Sequence, residues 1–155
     1  DALVEAICVT KVRCIDVATS VQHRLEREVG SYALMQGTGF EYKDMLLCCR
    51  FAEGDSRVLM QKLARDRLLS LRRRGAAAEV VSALSGRSAD RTESWLALKL
   101  ARAMDAARRG GHGEVARVWD EEWQAVYRLA DVICERHLAS AGAGGGFPEP
   151  IVARL

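Results

Sequence analysis

The sequence predicts an all-α protein built as an up-down bundle of four to five helices. Apolar residues make up 49% and charged residues 28% of its 155 residues, which is typical of a globular domain. Both prolines lie near the C-terminus, at Pro148 and Pro150, so proline interrupts no helix before them. Short glycine-containing turns separate the amphipathic segments, as in antiparallel bundles.

The charge balance and hydropathy exclude several classes of partner. The formal net charge is +2, and acidic and basic residues are interspersed, so no uniform basic surface is expected to bind nucleic acid. No apolar run approaches the roughly 20 residues that cross a bilayer, so no transmembrane segment is predicted. Peripheral membrane association through a partner protein stays open.

The cysteines and histidines predict neither a disulfide framework nor a metal site. The five cysteines are odd in number, two of them are adjacent, and no CxxC pair occurs, so a reducing compartment is expected. The three histidines are far apart, without a ligand at the next helical turn. These residues are Cys8, Cys14, Cys48, Cys49, Cys134, His23, His112 and His137.

The first helix is predicted over residues 2–29 and ends at Gly30. Its buried stripe follows alternating spacings of three and four residues, and consists of Val4, Ile7, Lys11, Cys14, Ala18, Val21 and Leu25. Lys11 is the charged member of this stripe. Its stem could pack on the core while the ammonium reaches solvent, or the ammonium could contact a cofactor or partner.

Two further helices are predicted between residues 44 and 74. A tight glycine turn over 36–42 precedes a short apolar helix over 44–51. A helix over 56–74 follows, with Asp55 or Ser56 as its N-cap. Its predicted buried residues are Met60, Ala64, Leu68 and Leu71. Three arginines at 72–74 suit the C-terminal end of the helix dipole better than they suit a nucleic-acid site.

The second half of the chain predicts three more helical segments. These span 76–84, which ends at Gly86, then 90–109, opened by a capping box of Asp90 and Glu93, and then 114–138. The predicted inward residues of the second segment are Leu96, Leu100 and Ala103. Trp119 and Trp123 are interpreted as core anchors or as anchors for a neighbouring subunit. Residues 139–155 read as a flexible Gly-rich linker followed by an extended segment with both prolines. The domain organisation is therefore one bundle over 1–138 and a tail over 139–155.

Residues 1–70 contain two notable motifs, the turn Gly37-Thr38-Gly39-Phe40 and the element Glu53-Gly54-Asp55. Together they resemble the C-terminal helical domain of the acyl-CoA dehydrogenase and oxidase superfamily. The turn Gly37-Thr38-Gly39-Phe40 is similar to the GGxGF turn of that family. The element Glu53-Gly54-Asp55, followed by Gln61 and the Ala64-Arg65 pair, is similar to the element that opens the family's final helix. The Glu-Gly-Asp form is closer to the oxidase branch. Residues 75–138 are additional helices that match no motif of the family.

The resemblance implies a set of functional residues. Glu53 would be the general base that removes the α-proton of an acyl-CoA thioester while a hydride passes to FAD, since partial desolvation raises a carboxyl pKa toward the working pH. Gly37, Gly39, Gly54 and Gln61 would line the FAD site. The N-terminus of the helix that follows Glu53 would offer backbone N–H groups to the pyrophosphate.

Two hypotheses about function follow from this resemblance. The chain is either a non-catalytic accessory or assembly subunit of a larger organellar complex, or the C-terminal part of an FAD-dependent acyl-CoA dehydrogenase or oxidase. The first is motivated by the missing family domains, by Gln36 in place of a glycine, and by only 12 residues between Phe40 and Glu53. Because the chain begins at Asp1, we expect a processed or partial product. Both hypotheses imply other protein subunits, in the mitochondrial matrix, plastid stroma, peroxisome or cytoplasm.

Overall fold

The computed structural model describes residues 2–52, 54–85 and 88–144, and these residues are almost wholly helical, with no strand among them. The prediction of an all-α protein is therefore confirmed, with seven α-helices in the described ranges rather than four to five. The chain divides into two compact units, Asp1–Arg65 and Asp66–Leu155. The assignment of 1–138 to one domain, with a tail over 139–155, stays a prediction.

The first unit is dominated by one long helix, α1, over Ala2–Val29. Short 3-10 turns over Gly30–Leu34 and Phe40–Tyr42 follow it and lead into α2 over Lys43–Cys48. Both α2 and the first of these turns pack against α1. Helix α3, over Ser56–Arg74, begins in this unit and continues into the second. The predicted bounds of α1 and α3 are confirmed.

The face of α1 that the protein buries differs from the predicted one. Cys8, Val9 and Val12 are its buried residues, whereas Ile7 is 59% exposed and Leu25 is 49% exposed. Cys8 and Val12 lie one position C-terminal to Ile7 and Lys11 of the predicted stripe, so the buried face is rotated by about 100° or more around the helix. The prediction that the stripe faces the core is therefore wrong. Residues such as Cys8, Val9 and Val12 make α1 apolar on a second side, and the chain covers that side instead.

The second unit contains four further helices and an apolar core. They are α4 over Ala76–Ser85, α5 over Ser88–Arg108, α6 over His112–Glu121 and α7 over Trp123–Gly144. Helix α5 packs against α4, α6 and α7. The side chains of Leu100, Leu129 and Ile133, on α5 and α7, are among the most completely buried. On α3, the predicted Ala64, Leu68 and Leu71 are buried, and Met60 is half-buried.

Three predictions for the second half are corrected. The last helix is broken at Glu122 into α6 and α7, and α7 continues past Leu138 to Gly144. Helix α5 begins at Ser88, so Asp90 lies inside it and cannot be its N-cap. Trp119 is half-buried, but Trp123 is 53% exposed and meets the edge of the Tyr127 ring. Trp123 is thus not a core anchor, and its role as an anchor for another subunit stays a prediction.

The cysteines and the hydropathy of the helices can be stated for the described residues. No disulfide joins the five cysteines, of which Cys8 and Cys134 are buried. Within the described ranges, no helix combines the length and apolarity required to cross a membrane. Gly86 and the residues after Gly144 lie outside those ranges, so the helix end at Gly86 and the extended tail stay predictions.

Candidate functional site

The segment 50–56, which the resemblance places at the active site, is held by the ammonium of Lys11. Lys11 Nζ donates hydrogen bonds to the carbonyl oxygens of Arg50 at 2.8 Å and Gly54 at 2.5 Å. A third, to Ser56 Oγ, measures 3.2 Å. Charge-assisted bonds of this kind are stronger than neutral ones. Lys11 therefore ties α1 to the start of α3 instead of only reaching into solvent, and a contact of its ammonium with a cofactor or partner stays a prediction.

Glu53, the predicted general base, lies outside the described residues, but its neighbour Gly54 is described. Gly54 has φ +106°, in the region that favours glycine, so a side chain there would strain the backbone. A Cβ at Gly54 would meet the Leu59 side chain at ordinary contact distances of 3.5–3.8 Å. The glycine is therefore explained by its backbone conformation, without a close approach by a ligand.

Helix α3 begins at an N-cap that Asp55 supplies. Asp55 Oδ1 accepts from the backbone N–H of Arg57 at 2.7 Å and of Val58 at 3.3 Å. This confirms the predicted N-cap and identifies Asp55 as the capping residue. Two of the N–H groups that could have faced a pyrophosphate are thus already bonded to a carboxylate of the same chain.

The glycine turn over 37–40 holds a carboxylate of its own. Both glycines have positive φ, +82° at Gly37 and +89° at Gly39, which aims their N–H groups at Glu41. Glu41 Oε1 accepts from Gly37 N at 2.9 Å and Oε2 accepts from Gly39 N at 2.8 Å. The Glu41 backbone N–H, together with those of the two glycines, holds the pKa of this carboxyl below its ordinary value. The turn is built as an anion-binding nest, and Glu41 occupies it.

The other predicted cofactor residue, Gln61, lies half-buried on α3, two turns after the N-cap. The structure thus brings Gly54 and the α3 N-terminus together around Lys11. The N–H groups of Gly37 and Gly39 are engaged separately, with Glu41. Among the described residues no cluster of histidine, cysteine, aspartate or glutamate could hold a metal ion.

A buried cluster of charges in the second unit was not predicted from the sequence. Arg67 on α3 donates from Nη2 to Glu79 Oε1 on α4 and from Nε to Glu93 Oε1 on α5, the latter at 2.5 Å. Ser94 Oγ donates to Glu79 Oε1 at 2.6 Å, and Arg136 Nε on α7 donates to Glu93 Oε2 at 2.7 Å. Four helices therefore meet at one ion cluster, which we call the Arg67 cluster.

The charges in the Arg67 cluster compensate one another. Glu79 is 3% exposed and Glu93 is 5% exposed, a depth at which an unpaired carboxylate would be strongly destabilising. Burial acts to raise the pKa of Glu79, but hydrogen bonds from Arg67 and Ser94 outweigh it, so that pKa lies below its ordinary value. For Arg67, burial acts to lower the pKa, but bonds to both glutamates raise it. The cluster is neutral overall and serves to join helices.

One signal in the sequence could have revealed this cluster. Glu93 stands four residues before Ala97 and seven before Leu100, in line with the buried stripe of α5. A carboxylate on an apolar stripe requires a buried cation. The identity of that cation depends on tertiary contacts with α3 and α7.

The chain matches no protein-family model, no curated protein and no solved structure.

Proposed function

We propose that the chain is a non-catalytic assembly module, with the ancestry that its resemblance to the acyl-CoA dehydrogenase and oxidase C-terminal domain implies. The observation that carries this proposal is the apolar surface of the first unit. Large side chains such as Leu3, Ile7, Met45 and Phe51 are each more than half exposed. Exposed apolar surface on this scale is typical of a face that another protein covers.

The chemistry of the inherited motifs supports the same proposal. The N–H groups of Gly37 and Gly39 are bonded to Glu41, and those of Arg57 and Val58 are bonded to Asp55. A phosphate arriving at either place would have to displace a carboxylate of the chain and would be repelled by it. Groups that would serve FAD in the related enzymes are used here to stabilise turns.

The alternative is that the chain is the C-terminal part of an FAD-dependent acyl-CoA dehydrogenase or oxidase, with Glu53 as the base. One observation favours it. Lys11 binds the carbonyl oxygens of Arg50 and Gly54, and held neighbours of this kind suit an element that has to position a catalytic group. In that case the chain alone would still supply the adenosine end of the FAD site at Gly37 and Gly39, so it should bind FAD saturably even though other domains or subunits complete the pocket.

A flavin titration tests the proposal against this alternative. Purified chain is mixed with FAD, the visible flavin spectrum is followed, and an acyl-CoA is then added. The assembly proposal predicts no saturable binding and no bleaching of the flavin. Acyl-CoA-dependent flavin reduction that Glu53→Gln abolishes, with helical content unchanged, would contradict it. Asp55→Asn is the matched control for a change of charge beside Glu53.

A further inference from the structure

The exposed face of α1 carries a narrow apolar stripe, which we call the α1 stripe. Its members point within about 20° of one direction when successive residues are placed about 100° apart. They are Leu3, Ile7, Cys14, Val21 and Leu25. Leu3 is 69% exposed and Ile7 is 59% exposed, and Cys14 is also exposed. A solvent-facing stripe of this length on a 28-residue helix resembles one half of a helix–helix interface.

The residues that flank the α1 stripe keep charge away from it. Thr10, Val17 and Ala18 lie beside Cys14 within about 60° of the stripe direction, and none is charged. Lys11 is the charged residue in this zone between Leu3 and Leu25. Its ammonium is turned toward the carbonyl oxygens of Arg50 and Gly54. A partner could therefore approach the stripe without burying an unpaired charge.

The spacing of the α1 stripe is symmetric about Cys14. Ile7 and Val21 lie seven residues before and after it, and Leu3 and Leu25 lie eleven residues before and after it. A twofold axis through Cys14, perpendicular to α1, exchanges the members of each pair. A twofold interface between two identical chains is self-complementary about its axis, and this spacing meets that condition, whereas an interface with a different protein has no such symmetry.

From this symmetry we propose that a second copy of the chain packs antiparallel along the α1 stripe, with the twofold axis at Cys14. This inference rests on the proposed function and names the partner of the assembly module. Leu3 packs against Leu25 of the other copy, and Ile7 packs against Val21. Cys14 meets its own counterpart on the axis.

The antiparallel arrangement is favoured over a parallel one by charge. Parallel packing would bring Lys11 beside the second Lys11 and would align the two helix dipoles. Antiparallel packing places Lys11 opposite Val17 and opposes the dipoles. It therefore brings Leu3 to Leu25 and Ile7 to Val21 and leaves no like charges facing each other along the stripe.

The dimensions of α1 set the expected strength of this dimer. The α1 stripe runs from Leu3 to Leu25, about 33 Å along the helix, and at a width of about 10 Å it covers on the order of 330 Å² on each copy. Interfaces of this size are at the lower end for specific association, so we expect a reversible dimer with a Kd in the micromolar range.

Sedimentation equilibrium across a range of concentrations tests the dimer. Ile7→Asp would place a carboxylate against Val21 twice in each dimer, and we expect it to raise the Kd at least tenfold. Val81→Asp on α4 is the matched control, because Val81 is 64% exposed and β-branched but lies outside the α1 stripe. It should leave the Kd unchanged. A wild-type chain that stays monomeric at about ten times the expected micromolar Kd, or a dimer that Ile7→Asp does not weaken, would overturn the proposal.

Cross-linking tests the direction of packing. Two variants, Ile7→Cys and Val21→Cys, are prepared with serine at Cys14, Cys48 and Cys49, and a short bismaleimide is added to each alone and to the mixture. Antiparallel packing predicts a cross-linked dimer in the mixture only. A dimer formed by either variant alone would contradict it. Neither readout involves flavin, so failure of this inference is distinguishable from failure of the proposed function.

Discussion

The two units of the chain differ in which side chains they bury and which they expose. The second unit buries charge as well as apolar side chains, and every buried carboxylate described there has a cationic partner. The first unit leaves much of its apolar surface in solvent, including the α1 stripe, and buries only one side of its longest helix. The second unit pairs its buried charges within the chain although Val81, Leu84 and Trp95 stay exposed, whereas the first unit exposes an apolar face along its longest helix.

The two units are stabilised by different polar contacts. In the second unit, α3, α4, α5 and α7 are joined by ion pairs within the Arg67 cluster as well as by apolar packing. In the first unit, Lys11 joins α1 to the segment 50–56 by hydrogen bonds to backbone carbonyl oxygens. We therefore expect substitutions in the second unit to change global unfolding, and the Lys11 contact to control local opening.

Arg67→Met should have the largest effect. It removes the cation that Glu79 and Glu93 share, and breaking a buried pair in this way costs about 3–5 kcal/mol. Urea denaturation followed by circular dichroism measures the loss. Arg72→Met is the matched control on the same helix, because Arg72 pairs with Asp105 at 2.9 Å where both side chains are largely exposed. Its expected cost is about 0–1 kcal/mol. Equal effects of the two variants would contradict the claim that the buried ion pairs of the Arg67 cluster stabilise the second unit more than its exposed pairs do.

Acid should weaken the second unit through Glu79. Because the folded pKa of Glu79 lies below its ordinary value of 4.5, its contribution is complete above that pH. The contribution is lost as pH falls through the folded pKa. The free energy of unfolding should therefore decline between about pH 6 and about pH 3, and Glu79→Gln should flatten part of that decline. Glu121→Gln, at an exposed ion pair with Arg117, should leave the slope nearly unchanged. If Glu79→Gln leaves the dependence of the free energy of unfolding on pH unaltered, Glu79 does not contribute to acid sensitivity.

Lys11→Met should have a smaller and local effect. It removes the bonds to Arg50 and Gly54, which are partly exposed, so we expect a cost of about 1–2 kcal/mol. Hydrogen exchange at the Ser56 amide, which donates to Arg50 O at 2.9 Å, reports the change. A cost of this size corresponds to exchange that is roughly 5–30 times faster. Lys43→Met, which breaks an exposed ion pair with Glu26, is the control. An unchanged exchange rate at Ser56 in the Lys11→Met variant would show that the segment 50–56 does not depend on Lys11 for its stability.

Most helix positions could be predicted because their ends carry local signals. Gly30 ends α1, Asp55 caps α3, and the bounds follow within a few residues. The break at Glu122 carries no glycine or proline, so two helices were predicted as one. The capping box at Asp90 and Glu93 was a wrong prediction because Glu93 matched the pattern but binds Arg67 and Arg136 instead.

Predictions that depend on contacts between distant residues were less successful. Periodicity identified an apolar face on α1. It does not show whether such a face is covered by its own chain or by another. The Arg67 cluster combines residues from four helices, and no local pattern determines which charges meet. At the candidate site, the sequence identified the glycine turn. The carboxylate of Glu41 in this turn was not predicted, because the motif of the family that the chain resembles ends at Phe40.

The most direct test of the central claim is size-exclusion chromatography of the chain with added FAD, with light scattering and visible absorbance recorded on the same peak. The account predicts a mass that rises with concentration from 17.1 kDa toward twice that value, with no flavin absorbance in the peak. A peak that stays monomeric at every concentration and carries flavin would contradict it.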